Sequence, residues 1–132
     1  MRIVRQAEQL GITKSAYNYE PFQMPTDAVW HYRKFDVEQS FEGEDDRRRQ
    51  EELTENIARA GIEKPLSIIL SDDHRHALIG DGNHRVAAAR KLGLSTVPVW
   101  IDVWEPEDRA FLSTQGAKDL EPWLQQWIGA NL

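Results

Sequence analysis

The 132-residue sequence contains no cysteine, which excludes disulfide bonds, thiolate metal sites and a cysteine nucleophile together. It has no apolar run near the ~20 residues that a membrane-spanning helix needs, and its N-terminus lacks the apolar core of a secretory signal. Both absences predict a soluble, cytoplasmic protein with no membrane partner. Positive charge is also short, with 16 Lys and Arg against 22 Asp and Glu. Affinity for nucleic acid rests largely on neutralising phosphates, so DNA is not the expected partner. The one basic run, Arg47-Arg48-Arg49, lies between Glu44-Asp45-Asp46 and Glu51-Glu52, the pattern of a solvated helix face. Repeats, low-complexity segments and long Gly/Ser linkers are missing, which predicts a single domain over residues 1–132.

Apolar periodicity then places the elements. Ile3, Ala7 and Leu10 suggest a short helix over 3–10, ended by Gly11. Tyr17, Tyr19, Pro21, Phe22 and Pro25 suggest an irregular arm. Val29-Trp30-His31-Tyr32-Arg33-Lys34-Phe35 is rich in strand formers and alternates apolar with polar, so a strand is expected near 29–35 with His31 outward. A helix is expected near 46–60, with acids at its start and Gly61 as its stop. Strands follow near 66–70 and 77–80, then a helix near 84–92, a strand near 97–103 and a short helix from Pro106 to Leu112. In the tail, Leu120, Trp123, Leu124, Trp127 and Ile128 sit at i, i+3, i+4, i+7 and i+8, an amphipathic helix near 119–129. Its stripe is expected to cover the core, or to dock a protein partner or a second copy of the chain through Trp123 and Trp127. The expected core includes Leu53, Ile57, Ile68, Leu78, Val86, Ala89, Leu92 and Val99.

The most informative stretch is Gly80-Asp81-Gly82-Asn83-His84-Arg85, between an apolar strand and an alanine-rich helix. The first turn of a helix has unpaired N–H groups and the positive end of the dipole, which favours phosphate. His84 and Arg85 add donors, and Asp81 adds a carboxylate able to act as a base or to hold Mg²⁺. The same residues also make an ordinary Asp-Gly turn with Asn83 as a helix N-cap. The Walker spacing and the third glycine of a dinucleotide fingerprint are both absent. Asp72, Asp73, His74 and His76 are metal-ligand types within five residues, but they occupy a turn and read as a polar loop.

The order of these elements, with Ile62-Glu63-Lys64-Pro65-Leu66 leading a strand and Gly82-Asn83-His84-Arg85 opening a helix, resembles the ParB/sulfiredoxin superfamily (ParB-like nuclease domain). The resemblance covers about residues 26–104, leaving 105–132 as a C-terminal helical cap. It implies a small α/β (α+β) fold with a short mixed sheet flanked by helices, and a Gly-x-x-Arg segment that binds nucleotide phosphates. Sulfiredoxins use the cysteine of Gly-Cys-His-Arg; Asn83 stands there, so that chemistry is excluded. Chromosome-partitioning ParB proteins carry Gly-Glu-Arg-Arg, bind CTP and continue into a helix-turn-helix reader. With Asn83 and His84 in place of that Glu and Arg, an acidic charge and few residues after the match, DNA partitioning is not the expected function. The form Asp-Gly-x-His-Arg is most similar to the free-serine kinases of the superfamily. That likeness implies Asp81 and His84 as catalytic residues and Gly82, Asn83, His84 and Arg85 as the nucleotide-binding set. It further implies Asp81 as the Mg²⁺ ligand and ATP, ADP or CTP as the nucleotide. The kinases' glutamate base has only Glu38 and Glu42 as positional candidates. Three functions follow: a Mg²⁺-dependent phosphotransferase or nucleotide hydrolase, a non-catalytic nucleotide-sensing or protein-interaction module, and, ranked last because of the acidic charge, a DNA-binding ParB relative.

Overall fold

A computed structural model describes residues 21–34, 43–104 and 106–131. The expected helix over 3–10, most of the arm, Phe35, and Glu38 and Glu42 lie outside the described residues. The elements are β1 (Phe22–Pro25), α1 (Thr26–His31), α2 (Glu44–Ala60), β2 (Leu66–Leu70) and β3 (His76–Asp81). They continue with α3 (Asn83–Lys91), β4 (Thr96–Val103), a 3₁₀ turn (Pro106–Asp108), α4 (Arg109–Thr114), β5 (Lys118–Asp119) and α5 (Pro122–Asn131). The five strands form one mixed sheet in the order β1-β4-β2-β3-β5, with β2 and β4 parallel and the other pairs antiparallel. This is the α/β architecture that the sequence implies.

Alternation along the strands explains the two faces. Leu66, Ile68 and Leu70 of β2, Ala77 and Ile79 of β3, and Val97, Val99, Ile101 and Val103 of β4 all enter one core. Val86 and Ala89 of α3 and Leu120 and Leu124 from the tail close it. The opposite face is smaller: Ile69 and Leu78 pack on Leu112 of α4, beside Trp104. Trp123 is half-buried against the main core, as the tail stripe predicts. The side chains of Trp127 and Ile128 lie outside the described residues.

Three expectations are corrected. Residues 26–31 are helical, and 29–34 does not form a strand. Thr26, Val29 and Tyr32 are buried at a spacing of three, and this helical period outweighs the strand propensity of the individual residues. His31 therefore ends a helix, where its Nδ1 lies 3.6 Å from a Glu121 carboxylate oxygen. Leu92 is 37 % exposed, because α3 ends at Lys91 and the chain turns away through Gly93, φ 72°. Leu53 is only half-buried, since it lines an open cleft rather than the core. Two short elements, β1 and β5, add to the expected strands. Among the described residues no helix is long and apolar enough to cross a membrane.

Candidate nucleotide-phosphate site

At the end of β3 the chain reverses through Gly82, whose φ is 109°, and α3 begins at once. That backbone lies in the left-handed region that disfavours any side chain. A Cβ at Gly82 would also stand 2.6 Å from Cγ of the buried Leu66. Glycine is therefore needed both for the turn and for the close passage of the loop over β2. Val86 N–H donates to Gly82 O at 2.9 Å, the first bond of the helix ladder. The amides of 83, 84 and 85 precede it, at the positive end of the dipole.

Asn83 is not the helix cap. Gly82 occupies that position, and the Asn83 amide instead bridges two pieces of backbone. Its Oδ1 accepts from Lys34 N–H at 3.0 Å, and its Nδ2 donates to Ile79 O at 3.1 Å. Ile79 N–H in turn donates to Tyr32 O at 2.8 Å. The side chain of Asn83 thus fixes the loop to residues 32–34, which corrects its expected role as the helix cap.

Asp81 and Arg85 face each other one helical turn apart. Arg85 Nη2 lies 3.0 Å from Asp81 Oδ1, and Lys64 Nζ lies 3.0 Å from Oδ2. Arg85 Nη1 also donates to the carbonyls of Lys64 and Pro65, the latter at 3.1 Å. Its side chain is only 15 % exposed. One guanidinium therefore joins the β3–α3 loop to the lead-in of β2. Burial pushes the Asp81 carboxyl up, but the Lys64 hydrogen bond and the charge and hydrogen bond of Arg85 outweigh it and hold its pKa below the usual range. A lowered folded-state pKa contributes stability that is fully present above the unfolded value, about 3.9, and is lost as pH falls through the folded value. The melting temperatures of wild type and Asp81→Asn should accordingly differ by a constant amount above about pH 4 and converge in stronger acid.

His84 lies beside α2. Its Nδ1 is 3.1 Å from Gln50 Oε1, while Gln50 Nε2 donates to His84 O at 2.9 Å. Next to this cluster lies a cleft of about 530 Å³, with Leu53, Ile57 and Ile62 as apolar lining and Arg59, Lys64 and Arg85 supplying cations. Of the expected site residues, Asp81 and Arg85 are in contact at the Gly82 turn, whereas His84 pairs with Gln50 of α2. Lys64 and Gln50 were not anticipated. Lys64 sits in the residue run that leads β2, where it reads as a spacer before Pro65. Gln50 precedes Leu53 and Ile57 by three and seven positions, so it is the polar residue on an otherwise apolar helix stripe, a signal that was available.

Among the described residues, Asp81 is the carboxylate of this cluster and His84 its imidazole. Among the described residues no group of three His, Asp or Glu side chains could hold a metal. Mg²⁺ commonly uses one or two carboxylates and completes its shell with water and phosphate oxygens, so a single carboxylate fits that ion. In the hairpin turn, Asp72 pairs with Arg109 at 2.5 Å, Asp73 accepts from Ser71 Oγ at 2.6 Å, and His76 pairs with Asp119 at 3.0 Å. Arg47, Arg48 and Arg49 are exposed, with Arg48 paired to Asp45 at 2.8 Å.

The ParB N-terminal domain family matches residues 37–115, well over half of the sequence. The chain belongs to that family. Two solved structures support the same fold for this ParB N-terminal domain. Sulfiredoxin from Arabidopsis thaliana is similar with a TM-score of 0.52 and 20 % identity, over 70 % of this chain and 96 % of that one. The C-terminally truncated chromosome-partitioning protein ParB from Caulobacter crescentus, complexed with CTP-gamma-S, gives a TM-score of 0.51 and 23 % identity. That match covers 77 % of this chain but only 56 % of the partitioning protein. Comparison with curated protein sequences finds no match.

Proposed function

We propose that this ParB N-terminal domain binds a nucleotide by its phosphates at Gly82–Arg85. The observation that carries the reading is the Asp81–Lys64–Arg85 cluster at the start of α3. Two cations converge there on one carboxylate, beside the first amides of a helix and an apolar-lined cleft. A phosphate carries the same charge sign and a similar fork of oxygens, so it can take over the Lys64 and Arg85 donors that Asp81 engages. Asp81 would then be left to hold Mg²⁺ against the phosphates. The CTP-gamma-S complex of the Caulobacter protein supports a nucleotide as the ligand class.

Mg²⁺-dependent phosphotransfer or nucleotide hydrolysis is the alternative use of the same residues, with Asp81 orienting the attacking hydroxyl and His84 beside it. One observation favours binding without turnover. A general base works best with a pKa near the operating pH, whereas Lys64 and Arg85 keep Asp81 low.

Calorimetry with CTP, ATP and ADP, with and without Mg²⁺, followed by product analysis, tests both. At least one nucleotide should bind, and Mg²⁺ should strengthen it. Asp81→Asn should bind metal-free nucleotide at least as tightly as wild type, because a competitor for the two cations is gone, and should lose the Mg²⁺ effect. No binding of any nucleotide by the wild type would overturn the proposal. Product formation that disappears in Asp81→Asn would establish the enzymatic alternative.

A further inference from the structure

The cleft beside the Gly82 turn is positive although the chain is acidic. Arg59, Lys64 and Arg85 line it against one carboxylate, that of Glu63, whereas the whole sequence has a net charge of −6. The three cations are committed differently. Lys64 and Arg85 both bear on Asp81. Arg59 Nη2 instead donates to Asn56 Oδ1, one turn earlier on α2. An amide oxygen orients a guanidinium but carries no net charge to cancel it. Among the described residues Arg59 has no carboxylate partner, Glu63 included.

Arg59 lies in the last turn of α2, where a cation suits the negative end of the helix dipole. That explains an arginine at this position, but the same dipole repels any anion that enters the cleft from this side. A phosphate is favoured there only where a cation offsets the dipole, and Arg59 is the residue placed to do so.

We propose that Arg59 is a specificity-determining residue that takes an outer phosphate of the ligand, so that the site distinguishes a triphosphate from a monophosphate. This rests on the nucleotide reading above and extends it. One phosphate sits at the first amides of α3 with Lys64 and Arg85, and the phosphate chain continues along the cleft to Arg59. Leu53 and Ile57 belong to earlier turns of α2, so the charged lining gathers where the helix ends and the chain leads into β2. A monophosphate fills the turn and leaves Arg59 on Asn56. Glu63 opposes each added negative charge and so acts in the opposite sense.

Calorimetry on the full chain compares the mono-, di- and triphosphates of cytidine and adenosine with orthophosphate, pyrophosphate and tripolyphosphate. Each is measured without Mg²⁺ and again with it. In wild type, affinity should rise with each phosphate. Arg59→Gln keeps good helix propensity and should weaken the triphosphate roughly three- to tenfold, the scale of a charged contact at an exposed position. The monophosphate should stay within twofold. Glu63→Gln should tighten the triphosphate more than the monophosphate.

Equal weakening of mono- and triphosphate in Arg59→Gln, or wild-type affinity for both, would overturn the proposal and leave the nucleotide reading standing. If tripolyphosphate binds with the same dependence on Arg59 but no nucleotide does, the nucleotide reading fails and the phosphate role of Arg59 stands. Binding by none of these compounds overturns both.

Discussion

Gly82→Ala is expected to lower the stability of the protein by about 2–5 kcal/mol. The left-handed backbone contributes about 1–2 kcal/mol once a Cβ is present. Forcing that Cβ against Leu66, which is fully buried at the start of β2, adds about 1–3 kcal/mol of overpacking. Gly93 provides the control. Its φ is 72°, but nothing lies within 4 Å of a Cβ built there, so Gly93→Ala should show only the backbone cost. Urea denaturation of the two variants separates the contributions. Equal losses at the two positions would mean that the loop can rise off β2. Pairing Gly82→Ala with Leu66→Ala should recover part of the packing strain, though it opens a cavity of its own.

Arg85→Met is expected to abolish nucleotide binding, by more than tenfold, and also to destabilise the ligand-free protein. Methionine keeps the apolar stem but loses the donors to Lys64 O, Pro65 O and Asp81. Hydrogen bonds to a charged group contribute about 1.5–3 kcal/mol, and water reaching the half-exposed Asp81 keeps the loss towards the lower end. Arg85→Lys should restore charge without the planar fork, giving partial binding and little recovery of the bridge to residues 64 and 65. Calorimetry and thermal unfolding measured on the same samples check both halves. Wild-type affinity in Arg85→Met would place the phosphate site elsewhere.

Much of this arrangement was legible in the residues, and the failures have physical causes. The runs 66–70 and 97–103 are dense in β-branched residues and bounded by Pro65, Ser71 and Trp104, so their strands were visible without tertiary information. The Gly82 turn was visible because only glycine suits it. Residues 29–35 misled because β propensity reports how a side chain fits a half-buried sheet, and Val29 and Tyr32 are instead buried on one side of a helix end. β1 and β5, with four and two residues, are too short to show a period. At the site, the loop residues were evident from their types and order. Their partners were not, since Lys64 meets Asp81 and Gln50 meets His84 across the fold. Asn83 shows the reverse error: a residue whose type suits a cap was used as a brace.

The sheet order also sets a schedule for assembly. β2 and β3 are joined by a short hairpin and can pair early, whereas β1 docks on β4 across a wide loop. Gln23 and Thr96, which meet there at 3.0 Å, are 73 residues apart in sequence. Closing that loop costs chain entropy before any contact repays it. β1 should therefore join last, bringing with it α1 and the Lys34 amide that Asn83 holds. The Gly82 loop would acquire its final brace only when the rest of the sheet is in place, so a chain arrested before that step would have a core but an untethered loop.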